Sequence, residues 1–338
     1  MAGFFPCHKT VRTFPCYNTD MLRPFFIWLS RANWAKDSIS KWSFSRRAAL
    51  RFVSGETSAE AIAVVRRLNA GGIMASMDHL GENTTSAEAA QAAADEVIAM
   101  LDEINQAGVA ANVSIKLSQM GLGLDAALCR AALARMLSHA RATNNFIRID
   151  MEDASLTERT LEMYTWAREQ GFDNVGIVIQ AYLYRSAADI QTILKNKGKI
   201  RLCKGAYQES PQVAYPKKAD VDASYRRLTD ELLADALQNG QAGSKDPRVP
   251  VTAALATHDE TCIRHAQQGM ARLGLPKTAV EFQMLYGIRR DLQEQLAAAG
   301  YPVRVYVPYG THWYPYFMRR LAERPANLWF FVTNFFRR

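Results

Sequence analysis

Eight short strand-like runs, separated by stretches with helical spacing, are the feature that most limits what this chain can fold into. The runs lie at residues 72–78, 112–118, 146–153, 175–181, 199–207, 251–259, 280–287 and 303–310. Intervening segments such as 126–142, 157–170 and 223–237 carry apolar residues on one helical face. Alternating strands and helices predict a parallel sheet covered by helices. Eight repeats favour a closed (β/α)8 barrel of the α/β class over an open sheet.

Length and composition allow this fold and exclude several others. The 338 residues, 49% of them hydrophobic, suffice for one large domain with its own core. The longest apolar runs, residues 24–29 and 328–332, are far too short for a transmembrane helix. Five scattered cysteines without a CxxC pair predict neither a disulfide framework nor a zinc site, and the histidines lack metal-binding spacing. The sequence indicates a cytoplasmic protein without a metal centre.

Positive charge is concentrated at the N-terminus. Residues 1–50 carry eight Lys and Arg against two Asp, which is six of the net charge of +8. We interpret this segment as a basic, solvated extension of helical or partly disordered structure. A membrane-surface arm at the inner face of the membrane remains an alternative. A nucleic-acid partner is not expected, because the chain has no recognisable nucleic-acid-binding motif.

Polar residues stand late in the strand-like runs. The active sites of (β/α)8 enzymes lie at the C-terminal ends of the barrel strands, so these side chains should converge on one mouth. They are Asp78 and Glu82, Lys116, Asp150 and Glu152, Gln180, Arg201 and Lys204, Thr257 and His258, Glu281 and Gln283, and Tyr306. A set spread over all eight runs indicates a functional site more than isolated internal ion pairs.

The segment after the last run is a predicted amphipathic helix over residues 311–324. Trp313, Phe317 and Leu321 recur at helical spacing and form its packing stripe. A different face carries Tyr316, Arg319, Arg320 and Glu323. Paired guanidinium groups suit two-point binding of a carboxylate.

The predicted mouth holds more cations than carboxylates. Its cations are Lys116, Arg201, Lys204, Arg319 and Arg320, and its main carboxylate is Asp150. This balance predicts an anionic ligand: a small carboxylate substrate, a phosphate-bearing cofactor, or both. A lyase or aldolase that uses Lys116 or Lys204 as a Schiff-base amine is the alternative that these residues leave open.

Seven segments in order resemble the proline dehydrogenase family. They read SIKLS, IDMED, VIQAYLYR, RLCKGAY, ATHD, EFQMLYG and RVYVPYGTHWYPYFMRRLAER. The family consists of FAD-dependent (β/α)8 enzymes, of single-function bacterial type or part of bifunctional proteins. The resemblance implies oxidation of L-proline to Δ1-pyrroline-5-carboxylate by hydride transfer to flavin N5, with a membrane quinone as electron acceptor. It covers about residues 51–327, which predicts a basic extension over 1–50, a catalytic domain over 51–327 and an aromatic tail over 328–338.

The same resemblance implies roles for individual residues. Positions that bind the substrate carboxylate match Lys116, Arg319 and Arg320, and Arg201 matches the arginine beside flavin N5. Positions that enclose the proline ring match Asp150, Tyr207, Leu285, Tyr306 and Tyr316. The resemblance implies that Asp150, Arg201, Tyr207 and Tyr306 are the catalytic residues. FAD contacts match Met151, Gln180, Lys204, Gly205, Ala206, Thr257 and His258. Glu82 and Glu323 match a pair that flanks the site, and Cys203 departs from the family's usual valine.

Overall fold

The computed structural model describes residues 49–81, 84–239 and 246–323. Its strands are β1 (Met74–His79), β2 (Ala111–Ile115), β3 (Ile147–Ile149), β4 (Val175–Gln180), β5 (Lys199–Cys203), β6 (Ala253–Ala256), β7 (Val280–Leu285) and β8 (Val303–Tyr309). Its α-helices are α1 (Ser58–Ala70), α2 (Ala87–Ala107), α3 (Ala126–Ala142), α4 (Thr157–Glu169), α5 (Ser186–Lys195), α6 (Lys218–Asn239), α7 (Glu260–Leu273), α8 (Arg290–Ala298) and α9 (Trp313–Glu323).

The eight strands are parallel, pair in chain order and close into a barrel. Closure is made by β1 and β8, which pair from Met74 beside Arg304 to His79 beside Tyr309. Helices follow the strands and cover the outside of the barrel. The predicted (β/α)8 barrel is confirmed.

Local sequence signals explain where several helices begin. The Thr57 side chain and Glu60 form a reciprocal capping box at the start of α1. Carboxylates of Asp125 and Asp259 accept backbone N–H groups at the starts of α3 and α7. Such caps satisfy donors that the first helical turn leaves without partners. They fix the point at which each loop from the barrel mouth turns back into a helix.

Two apolar clusters hold the barrel together. The larger lies between the outward side chains of the strands, such as Val113, Ile149 and Ile177, and the surrounding helices. The smaller contains Trp313, Phe317 and Leu321 of α9, which pack with Ala49 and Phe52. This burial confirms the predicted packing stripe of the last helix, and it places the opposite face of α9 over the barrel mouth.

The interior of the barrel is strongly polar. Arg148, Arg201 and Arg304 are inside it and are at most 6% exposed. Hydrogen bonds connect several of these side chains across the interior, for example from Arg201 Nη2 to Ser76 Oγ and Ser114 Oγ at 3.2 Å each. Hydrogen bonds to neighbouring polar groups allow the barrel to hold Arg201 and Arg304 in its interior.

Within the described residues, none of the helices has the length and apolar character needed to cross a bilayer. The proposed N-terminal extension and C-terminal tail lie outside the described residues, apart from Ala49 and Leu50, so their limits stay predictions.

Candidate active site

A cavity of about 530 Å³ opens at the C-terminal ends of the strands. All of the residues that the sequence assigned to substrate, cofactor or catalysis line it: Lys116, Asp150, Met151, Gln180, Arg201, Lys204, Gly205, Ala206, Tyr207, Thr257, His258, Leu285, Tyr306, Tyr316, Arg319 and Arg320. They come from seven strands, the loops after them and α9. The structure thus brings the predicted set together, and their individual roles remain proposals.

The floor of the cavity is a hydrogen-bonded group centred on Asp150. Its Oδ1 accepts from Arg201 Nη1 at 2.7 Å, and its Oδ2 accepts from the Tyr306 hydroxyl at 2.7 Å. Lys116 Nζ donates to the same hydroxyl at 3.2 Å. Burial, followed by the charges of Asp150 and Asp78, raises the pKa of Tyr306 well above its ordinary value. Tyr306 is therefore a neutral hydroxyl held in one orientation.

Asp78 lies directly beneath Lys116. The Lys116 ammonium is 2.9 Å from Asp78 Oδ1 and 3.0 Å from Oδ2. Burial alone would lower the pKa of Lys116, but the charges of Asp78 and Asp150 outweigh it and raise that pKa. Burial raises the pKa of Asp78 in turn, although Lys116 opposes the shift. The pair keeps Lys116 as an ammonium ion at neutral pH.

Arg201 lines the cavity and is only 6% exposed. Besides Asp150 and the two serines, it donates from Nε to Gln283 Oε1 at 2.5 Å. Its guanidinium carbon lies 5.4 Å from the centre of the Tyr306 ring. Partners on β1, β2 and β7, together with Asp150 directly after β3, fix this cation in one position.

Lys204 is held at the rim by two aspartates. Its ammonium lies 2.5 Å from Asp222 Oδ1 on α6 and 2.7 Å from Asp259 Oδ2. Burial opposes the ammonium form, but the hydrogen bonds to both carboxylates raise the pKa of Lys204. Burial would raise the pKa of Asp259, whereas the bond to Lys204 lowers it to about 2. The Asp259 carboxylate therefore both starts α7 and neutralises Lys204.

Small residues and backbone groups form the wall beside Lys204. Gly205 has φ = 109°, and a Cβ there would lie 2.4 Å from a ring carbon of buried Tyr182. Glycine is needed at this close approach. Across the cavity, the Leu285 backbone N–H donates to His258 Nε2 at 2.9 Å, which fixes the orientation of that ring.

The face of α9 opposite the packing stripe contributes Tyr316, Arg319 and Arg320 to the cavity. Arg320 is 9% exposed, and its guanidinium carbon is 5.1 Å from the Tyr316 ring centre. Arg319 is half-buried and has no ion pair among the described residues.

A sequence profile of the proline dehydrogenase family matches residues 61–332. Proline dehydrogenase 1 of Bacillus subtilis subsp. natto is 40% identical over 314 residues, covering 93% of this chain and 99% of that protein. Proline dehydrogenase of Deinococcus radiodurans is 44% identical over 288 residues, covering 84% of this chain and 88% of that protein. The chain belongs to the proline dehydrogenase family.

The fold of this proline dehydrogenase family member also recurs inside a longer protein. Proline utilization A (PutA) from Bdellovibrio bacteriovorus, solved after inactivation by N-propargylglycine, superposes with a TM-score of 0.75 at 25% identity. The match covers 90% of this chain and 36% of that chain. The barrel is therefore shared with a protein of which it forms about a third.

The structure corrects three residues that the sequence placed at the mouth. Asp78 is bonded to Lys116 and does not line the cavity. Glu281 points into the lower barrel, where its Oε1 accepts from Arg304 Nε at 2.8 Å. Glu152 is buried beside β2 and accepts from the Ser118 backbone N–H at 3.0 Å and its hydroxyl at 2.5 Å. Glu281 precedes Gln283 by two residues on β7, so its inward side chain lies deeper in the barrel, next to Arg304. Glu82 and the side chain of Glu323 lie outside the described residues.

Aspartates around the mouth reduce the predicted excess of cations without removing it. Asp222 and Asp259 neutralise Lys204, and Asp78 neutralises Lys116. The sequence signal for Asp259 is its place at the end of the sixth run, where a helix N-cap is expected, whereas Asp222 precedes the predicted helical segment 223–237 and gave no signal. In the part of the chain that the structure describes, no group of three or more His, Cys, Asp or Glu side chains could hold a metal ion.

Proposed function

We propose that this chain catalyses FAD-dependent oxidation of L-proline to Δ1-pyrroline-5-carboxylate and passes the electrons to a quinone. As a member of the proline dehydrogenase family it is an oxidoreductase that acts on a CH–NH bond. The observation that carries the proposal is the single cavity that gathers the residues assigned to proline and to FAD. The reaction is the first step of proline catabolism.

The residues of the cavity fit a flavin. Met151, Val178, Ala256 and Met284 give the apolar surface that the flat faces of an aromatic ring require. Gly205 and Ala206 leave backbone exposed at the wall, and Lys204, Lys218 and Thr257 supply donors at the rim. This combination of apolar wall, exposed backbone and ammonium donors at the edge suits an isoalloxazine ring joined to phosphates.

FAD, when bound, supplies the electron-pair acceptor for the hydride that leaves C5 of proline. The chain's own part is to bind and orient the substrate. Arg319 and Arg320 bind its carboxylate, with Lys116 completing the anionic end of the pocket. Asp150 and Tyr306 border the ring, and Leu285 and Tyr316 exclude water and larger amino acids. Holding the two reactants in one orientation removes much of the entropic barrier.

Arg201 supplies fixed positive charge at the site. Its guanidinium is buried and hydrogen-bonded to three strands and to Asp150, so it does not need to reorganise during the reaction. Preorganised charge of this kind stabilises an electron-rich ring more effectively than a mobile ion in water. We assign Arg201 this electrostatic role and Tyr207, which burial keeps neutral by raising its pKa, the role of a pocket wall.

The Schiff-base alternative is weakened by the two lysines it requires. A Schiff base forms from a neutral amine, which catalytic lysines reach through a lowered pKa. In this structure the carboxylates around Lys116 and Lys204 raise both pKa values. Both side chains are therefore ammonium ions at neutral pH.

The quinone acceptor and a peripheral place at the membrane belong to the proposal as well. The segments that would contact lipid, residues 1–48 and 328–338, lie outside the described residues. Flotation of the full chain and of a chain ending at residue 327 with anionic liposomes tests the aromatic tail. Equal binding of both would remove the tail from the proposal.

The central experiment is an anaerobic titration of the purified protein. We expect a flavin absorbance spectrum that bleaches on addition of L-proline, with Δ1-pyrroline-5-carboxylate formed in equal amount. D-proline serves as the control, because its carboxylate and C5 cannot meet the same two subsites together. A colourless protein that FAD does not reconstitute, or a flavin that L-proline leaves oxidised, contradicts the proposal.

The carboxylate assignment predicts a specific kinetic defect. Arg319→Ala and Arg320→Ala should each raise the KM for proline at least tenfold, a loss of about 1.4 kcal/mol of binding. Steady-state kinetics with FAD-saturated enzyme measure it. Arg135→Ala is the control, since Arg135 is an exposed residue of α3 whose ion pair with Asp95 lies on the outer surface. Unchanged KM in both active-site variants would remove the arginines from carboxylate binding.

A further inference from the structure

Arg148 is a buried cation of β3 that the proposed reaction does not use. It is 0% exposed, points into the barrel and does not line the cavity. Its Nη1 donates to the carbonyl oxygens of Ile177 at 3.2 Å and Lys199 at 2.6 Å. Gly176 makes room for it, because a Cβ at that position would lie 2.4 Å from Nη1. Backbone carbonyl groups thus hold the guanidinium group in place through one of its nitrogen atoms, Nη1.

The remaining donors of Arg148 are unsatisfied by the protein. Nε and Nη2 have no hydrogen-bond partner among the described residues, and neither has Nδ2 of Asn112, a fully buried residue of the neighbouring strand β2. The Asn112 Oδ1 is used, since it accepts from Arg304 Nη1 at 3.2 Å. All of these unpartnered atoms are N–H groups. A ligand that only accepts hydrogen bonds suits them, whereas a water molecule would add two donors of its own.

The charges inside the barrel point to the same kind of ligand. Each buried carboxylate there is paired with another cation: Glu281 with Arg304, Asp150 with Arg201, and Asp78 with Lys116. Among the described residues, Arg148 has no carboxylate partner. Burial, and then the charge of Arg201, lowers the pKa of Arg148 to about 9. One positive charge is left in the lower barrel, and a buried unpaired charge is strongly unfavourable.

We propose that a small monovalent anion such as chloride binds inside the barrel, beneath the cavity, between Arg148 and Asn112. The ion accepts hydrogen bonds from Arg148 Nε and Nη2 and from the Asn112 amide. It supplies the single negative charge that the interior lacks and offsets the repulsion between Arg148 and Arg201. The site is independent of the proposed reaction, because neither Arg148 nor Asn112 contacts the cavity.

Long-wavelength diffraction from crystals of the full chain, purified and crystallised in sodium chloride, tests the site directly. Chlorine scatters anomalously at such wavelengths and oxygen does not. We expect an anomalous peak within hydrogen-bond distance of Arg148 Nε or Nη2. Electron density there without an anomalous signal identifies water and overturns the proposal, and so does the lack of any density.

A solution measurement gives an independent test. The melting temperature of the wild-type protein should be higher in sodium chloride than in sodium gluconate at equal ionic strength and pH. The difference should vanish in Arg148→Met and persist in Arg135→Met, the surface control. A chloride effect of the same size in all three proteins, or none in the wild type, overturns the proposal. The crystallographic test stands even if Arg148→Met does not fold.

Discussion

At the scale of single residues, the pair of Asp78 and Lys116 shows how this barrel prepares a cation for a ligand. Both oxygens of Asp78 contact the Lys116 ammonium, and Asp78 itself is 1% exposed. The carboxylate lies behind the lysine and does not line the cavity. Asp78 is therefore a positioning residue: it keeps Lys116 charged and aimed at the pocket without contacting substrate.

Asp78→Asn should change the pH dependence of the reaction. Removing this charge leaves the effect of burial on Lys116 less opposed, so the pKa of Lys116 falls and its ammonium is lost at lower pH. We expect kcat/KM for proline to fall at lower pH in the variant than in the wild type, in which Lys116 stays charged throughout the measured range. Rates measured between pH 6 and about 10 define the two profiles.

The control for this variant is Asp95→Asn, which removes an exposed carboxylate on α2. Titration of the proline amine is common to all three proteins and cancels in the comparison. A fall in kcat/KM at the same pH in Asp78→Asn and wild type would show that Asp78 does not set the charge of Lys116.

At the scale of elements, β4 contains a glycine that its neighbours require. A Cβ at Gly176 would lie 2.4 Å from Arg148 Nη1, 2.7 Å from the Lys199 carbonyl oxygen and 2.7 Å from the Phe146 ring. Two of these contacts involve backbone or a packed ring that cannot move freely. Gly176→Ala should therefore lower the free energy of unfolding by about 1–3 kcal/mol.

Denaturant unfolding of Gly176→Ala and of Gly123→Ala measures this effect with a matched pair. Gly123 has no atom within 4 Å of an added Cβ, so its substitution should stay within about 0.5 kcal/mol of wild type. Equal stabilities of the two variants would show that the lower barrel yields to the extra methyl group.

The strands themselves could be predicted from sequence because each forms one apolar run with polar residues at its end. The residues at which the strands end could not be predicted. The run 146–153 reads as eight strand residues, but only Ile147–Ile149 pairs in the sheet. Beyond Ile149 the chain leaves the ladder at the rim, so that Asp150 and Met151 line the cavity. Side-chain alternation alone does not show where pairing stops.

The sequence predicted which residues at the ends of the strands belong to the candidate site. It did not predict how deep each side chain lies in the barrel or which helix residues form ion pairs with it. Glu281 and Gln283 both point inward, but only strand register shows that Glu281 lies lower and meets Arg304. Asp222 reaches Lys204 from α6, which begins at Lys218, five residues before the predicted helical segment 223–237. Distances between separate elements decide such ion pairs, and a single sequence does not contain them.

At the scale of the whole molecule, the barrel and its cavity form one structure, and filling the cavity should stabilise all of it. A ligand that binds only the folded state adds about 2.7 kcal/mol of stability at one hundred times its Kd. We expect FAD to raise the melting temperature of the apoprotein in a saturable manner. Riboflavin, which lacks the phosphates to which Lys204 and Lys218 would donate hydrogen bonds, should raise it less.

Differential scanning fluorimetry of the flavin-free protein, titrated with FAD and with riboflavin, measures both effects. Equal shifts with the two ligands would show that the phosphates make no contact with Lys204 or Lys218. A melting temperature that does not change with FAD would show that FAD does not stabilise the folded state.

The pairing of β1 with β8 also determines how the molecule responds to a stretching force. The two strands are parallel, and six consecutive residue pairs join the first strand of the barrel to the last. Tension applied at residues 49 and 323 first detaches the outer helices and then pulls β1 and β8 past each other along their length. All the bonds of the ladder then bear the load together, so the barrel should resist mechanical extension far better than a sheet that unzips one bond at a time.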